Sequence, residues 1–106
     1  MTKKEFDKKI DSLFEDLQTC NLNTGKKEVL KQIYQTTLNA LDNGLIQNSQ
    51  AAIIICGTLF QAPHLVHQMP FEEIIDIACD LEVPLGILDD DQTTMWQRLR
   101  ELISGL

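Results

Sequence analysis

Positive charge is scarce in this sequence, and through its middle charge of either sign is missing. Between Lys31 and Arg98 there is no lysine or arginine, and residues 43–71 contain no Asp, Glu, Lys or Arg. The net charge is −7. Affinity for a phosphate backbone comes largely from Lys and Arg releasing counterions, and anionic membrane surfaces attract the same residues. Neither nucleic acid nor a membrane is therefore expected as a partner. The apolar run at residues 51–60 falls well short of the roughly 20 residues a membrane span requires. No repeat or low-complexity tract is present.

Cysteine is also sparse. Cys20, Cys56 and Cys79 are odd in number and sit in apolar surroundings. The opening residues MTKKEFDKKI pass from charge directly into an amphipathic pattern, so no secretory leader is expected. Reduced thiols and a cytoplasmic location are the simplest expectation. There is no C-x-x-C pair, no H-E-x-x-H pair and no glycine-rich phosphate loop.

A chain of 106 residues with 43% hydrophobic and 24% charged residues fits one soluble globular domain able to bury a core. Its stretches order as follows. Thr2-Lys3-Lys4-Glu5 matches a capping box, and Phe6, Ile10, Leu13, Phe14 and Leu17 recur on one helical face that fades near residues 19–21. Asn23 or Thr24 is expected to cap a second helix. Its inner face is Val29, Leu30, Ile33, Thr37, Leu38 and Leu41, with the Tyr34 hydroxyl at the rim. Asp42-Asn43-Gly44 is a stop signal.

The third helix, residues 49–61, is the apolar centre, with Asn48 and Ser49 as caps. The three consecutive isoleucines, Ile53, Ile54 and Ile55, would also suit a buried strand, but no second strand is legible to satisfy its backbone. Gly57 costs a helix about 1 kcal/mol relative to Ala, which suggests close helix contact there. Pro70 suits a first helical position of a fourth helix with Phe71, Ile74, Ile75, Ala78 and Leu81 inside, ended by Val83 and Pro84. Residues 85–88 read as an apolar loop. Asp89, Asp90 and Asp91 supply a cap and negative charge at the start of a fifth helix. Met95, Leu99, Leu102 and Ile103 form its inner face, with Trp96 alongside. The expected fold class is all-α, a compact bundle of about five short helices around the central apolar one.

Chemistry-bearing constellations are weak. His64 and His67 with Cys56 are residue types that zinc accepts, yet the plainer reading is two loop histidines and a packed thiol. Cys79 lies between Asp76 and Asp80, and Cys56 in an apolar run, settings that favour thiol over thiolate. Counted from Asp89, an EF-hand loop would need Gly where Thr94 stands and Glu where Arg100 stands. No enzyme activity and no cofactor are expected.

The charge layout says more. Nine carboxylates occupy the interval free of basic residues. Glu72, Asp76 and Asp80 lie four apart, on one helix face. The plain reading is a solvated face; the functional one is a docking surface for a partner with a basic patch, with Met69 and Trp96 as apolar anchors if exposed. Small acidic helical proteins include inhibitors, immunity proteins, chaperones and adaptors, an analogy at the level of fold. The leading expectation is a non-enzymatic, bacterial-type cytosolic interaction module, possible as a homodimer through residues 43–71. The alternative is a metal- or ligand-binding protein using His64, His67 and nearby cysteines.

Overall fold

Thr2 starts the first helix as its capping signature predicts: its Oγ1 accepts the Glu5 backbone N–H at 3.2 Å. The structure, a computed structural model, describes residues 2–63, 65, 67–82 and 89–106. Among them are five α-helices and no strand: α1 Lys3–Thr19, α2 Asn23–Asp42, α3 Asn48–Gln61, α4 Phe71–Glu82 and α5 Asp89–Ser104. The fold is an all-α bundle. The strand alternative for the three isoleucines fails because α3 is opened by the Gln50 side chain, whose Oε1 accepts the Gln47 N–H at 3.2 Å. A capped, continuous helix satisfies its own backbone without a neighbour.

Boundaries move by a residue or so where caps differ from expectation. Asn23 and Thr24 stand inside α2, whose cap is Leu22 without a side-chain hydrogen bond. Likewise Asn48 is already helical, behind Gln47. Pro70 precedes α4, and its carbonyl accepts the Ile74 N–H at 3.0 Å. Gly44 ends α2 as predicted: with φ at +72° it lets its own N–H reach Leu41 O and the Leu45 N–H reach Ala40 O, the paired bonds of a Schellman turn. Val83, Pro84, residues 85–88 and His64 lie outside the described residues, as do the side chains of Asp89, Asp90 and Asp91.

The core draws on every helix. Phe6, Ile10, Leu13 and Leu17 come from α1, Leu30 and Ile33 from α2, Ile55 from α3, Ile74 and Ala78 from α4, and Leu99 and Ile103 from α5. Among the described residues, helix α3 packs against α1, α2 and α4, and only its first residue, Asn48, shares a cleft with α5. It is central in sequence and in the core, yet the bundle does not enclose it. Polar or covalent links tie several pairs of helices. Gln18 Nε2 donates to Gln61 Oε1 at 2.8 Å between α1 and α3. Arg98 of α5 meets Glu73 of α4, Arg100 of α5 meets Asp42 of α2, and a disulfide joins Cys56 of α3 to Cys79 of α4.

Tyr34 departs from its expected place. Its ring is fully buried rather than at the rim, because its hydroxyl finds an internal partner, Thr58 Oγ1, at 3.0 Å. The Thr58 hydroxyl also lies 2.7 Å from Ile55 O, and either hydroxyl can donate in the bond it shares with Tyr34. Burial pushes the Tyr34 phenol from 10.0 up to about 12, opposed in part by the Thr58 hydrogen bond. The folded chain then holds this proton in a pH range where the unfolded chain has lost it. Stability is at its full value below about pH 10 and falls as pH rises towards about 12, by up to about 1.4 kcal/mol per unit. Urea midpoints measured across that range should fall more steeply for the native chain than for Tyr34→Phe. Equal slopes would place the alkaline sensitivity elsewhere.

Candidate functional site

On α4 the apolar side chains Phe71, Ile74, Ile75, Ala78 and Leu81 face the core, and Glu72, Asp76 and Asp80 project into solvent on the opposite side. The spacing seen in sequence is thus realised as one exposed acidic row. What the bundle adds is the fate of the nearby cations. Arg98 Nε donates to Glu73 Oε1 at 3.1 Å and its Nη2 to Oε2 at 3.4 Å. The same guanidinium lies 3.8 Å from Glu101. The hydrogen bond to Glu73, reinforced by that carboxylate's charge, raises the Arg98 pKa above its ordinary value. Arg100 Nη1 sits 2.6 Å from Asp42. Both arginines are therefore engaged by other acids. Glu72, Asp76 and Asp80 have no ion-pair partner among the described residues.

The two apolar anchors separate. Met69, just before α4, is 66% exposed. Trp96 is only 8% exposed, because the face of α5 that carries Leu99 and Ile103 turns it inward; it drops out as an anchor. Sequence pattern placed it beside the inner face, and the structure places it within it.

The cysteines require a second correction. Cys56 and Cys79, expected as reduced thiols, are joined in a disulfide with their Cα atoms 5.4 Å apart, inside the range a disulfide spans. Helices α3 and α4 are a tightly packed pair, and the bridge lies in the seam between them. The inference of a reducing compartment loses the support it drew from these two thiols. Cys56 is also removed as a metal ligand. His67 is exposed, and among the described residues no group of three or more His, Cys, Asp or Glu side chains is gathered as a metal site. Cys20 stays free, half-buried, with its Sγ donating to Leu22 O at 3.5 Å.

A cleft of about 460 Å³ is lined by Lys9, Thr36, Asn39, Ala40, Asn43 and Leu45. It brings together no nucleophile with a base, and no carboxylate or imidazole pair. It can hold water or a small polar solute, and its side chains offer no proton relay.

The sequence marked residues 43–71 as a possible contact with a second chain without showing which side of α3 is open. Ile53 is 53% exposed and Phe60 78% exposed. With Gly57 between them they form a single stripe along the outer side of α3, at spacings of four and three residues. Gly57 does not mark close helix contact: a Cβ placed there would meet nothing within 4 Å. The signal that was available is the glycine itself, a poor helix former kept in an otherwise apolar helix. No helix of the described residues is long and apolar enough to cross a membrane. Comparison with protein-family models, with curated proteins and with solved structures finds no match for this chain.

Proposed function

We propose that this chain is a non-enzymatic protein-interaction module that docks a basic partner on the exposed face of α4. The observation that carries this is the uncompensated acidic row: Glu72, Asp76 and Asp80 remain unpaired while Arg98 and Arg100 are held by Glu73 and Asp42. A field of this kind raises the rate of encounter with a positive patch, and salt weakens it, since charges more than about 8 Å apart are largely screened at physiological ionic strength. Affinity then needs an apolar anchor next to the charges. Met69, exposed immediately before the helix that carries all three acids, is the residue suited to it.

The reading is tested by isolating a partner from native cell extract and measuring its association with the native chain and with the triple variant Glu72→Lys, Asp76→Lys, Asp80→Lys. The three side chains are exposed, so the fold is expected to survive the reversals. Association at low salt should slow by about tenfold or more in the triple variant, with a flatter salt dependence. Met69→Ala should act mainly on dissociation, raising its rate by about tenfold. An on-rate and salt slope identical to those of the native chain would show that the acidic row only keeps the protein soluble. The alternative of a metal-binding protein has lost Cys56 to the disulfide, and among the described residues no ligand cluster replaces it.

A further inference from the structure

We infer that the open face of α3 is a self-association surface, on which a second copy of this chain packs with Phe60 of each copy seated over Gly57 of the other. Three features of the helix point to this occupant. The first is shape. Gly57 leaves a notch with nothing within 4 Å of its missing Cβ, walled one turn before by Ile53 and one turn after by Phe60. Among the described residues Phe60 is the most exposed large apolar side chain, at 78%. A projecting ring and a notch of matching kind stand one turn apart on the same stripe. A two-fold axis crossing α3 between residues 57 and 60 brings each ring into the other copy's notch, which is the self-complementarity an isologous interface demands. The seated ring touches Ile53 on one side and the opposing Phe60 on the other, an aromatic pair within van der Waals reach.

The second feature is charge. Two copies of a chain with net charge −7 repel. Their contact must fall where like charges do not meet. Every helix except α3 carries charged residues, whereas α3 has none along its whole length. Beside the stripe stand Ser49 and Gln50, exposed, polar and neutral, while Gln61 at the end of the helix is already bonded to Gln18 of α1.

The third is packing. α3 lies against α1, α2 and α4, and among the described residues this one side has no helix packed on it. The stripe is short, so the contact area falls below the roughly 800 Å² per partner of a standard stable interface, and the association should be weak and concentration-dependent.

This inference stands apart from the acidic docking face, and salt tells the two apart. Screening the repulsion between two acidic copies strengthens self-association as salt rises. The same salt weakens attraction to a basic partner. Sedimentation of the native chain over a wide concentration range should show the mass rising from one chain to two, with the midpoint moving to lower concentration in higher salt. Phe60→Ala removes the ring, and Gly57→Leu fills the notch with a side chain for which the single chain has room. Each should raise the dissociation constant by about tenfold or more, the scale for losing a central anchor. Circular dichroism of both variants should match the native chain, since neither residue is buried. The triple acidic reversal, which takes the net charge from −7 to about −1, should keep the contact and, like added salt, tighten it. A single-chain mass at every concentration, or a dimer that survives either α3 substitution unchanged, overturns the proposal.

Discussion

Replacing Ile55 by Ala is expected to lower the free energy of unfolding by about 3–5 kcal/mol, while Ile53→Ala, two residues earlier on the same helix, should change it by less than about 1 kcal/mol. Ile55 is fully buried on the side of α3 turned towards the rest of the bundle. Deleting its side chain beyond Cβ removes the transfer energy of those carbons and leaves a cavity that three packed helices cannot close without moving. Ile53 is mostly in water, and Ala is the better helix former there, so its loss of partial packing is offset. For a domain of this size, with total stability of about 5–15 kcal/mol, the first substitution removes a large share and the second very little. Urea denaturation, at protein concentrations where the mass is that of one chain, measures both. Comparable costs for the two would mean that α3 is rotated about its axis from the orientation described here, and the stripe at Gly57 would no longer face solvent.

The contrast between these two isoleucines also shows where sequence stops being informative. Helix α1 could be read with its faces because Phe6, Ile10, Leu13 and Leu17 alternate with Lys8, Asp11 and Glu15, and the structure buries those four apolar residues. Helix α4 was equally legible from Ile74, Ile75 and Ala78 set against Glu72, Asp76 and Asp80. In α3 no such contrast exists. Ala, Ile, Cys, Leu and Phe run around the whole circumference, so periodicity predicts a helix without saying which side is outside. Two readings were open, a helix enclosed by the other four or one that meets a second chain along part of its length, and the side left open followed only from knowing which three helices pack on it.

Other gaps have the same long-range origin. Whether Tyr34 keeps its hydroxyl at the surface depends on Thr58, 24 residues further on, which offers a hydrogen-bond partner inside the core. Trp96 reads as flanking an inner face until neighbouring helices cover it. The acidic row on α4 was legible as a row. Its lack of counter-charge was not, since that depends on Arg98 and Arg100 folding back onto Glu73 and Asp42. Local patterns therefore specified the elements and most of their buried faces, while each pairing across helices waited for the fold.

The cysteine bridge is such a pairing, and its removal should have the second large effect. Cys56 and Cys79 are separated by 23 residues, a spacing that matches no motif. Two helices joined by a short connection run back alongside one another, and residues that far apart meet if they stand at the same height on facing sides. Closing a loop of that length in the unfolded chain restricts its entropy by the equivalent of about 3 kcal/mol. Reduction, or the double variant Cys56→Ala, Cys79→Ala, should therefore lower stability by about that amount. The loss should be seen mainly as a lower denaturation midpoint with the helical spectrum retained, because Phe71, Ile74, Ile75 and Ala78 still pack α4 on the core. Adding reductant to the double variant should change nothing further. The thiol count gives an independent reading: under denaturing, non-reducing conditions the native chain should show one reactive thiol, Cys20, and all of its cysteines should react after reduction. If every thiol reacts before reduction in protein prepared under air, the two sulfurs are neighbours without a bond. The reductant should then leave the midpoint where it was, and α3 and α4 would be held together by packing alone.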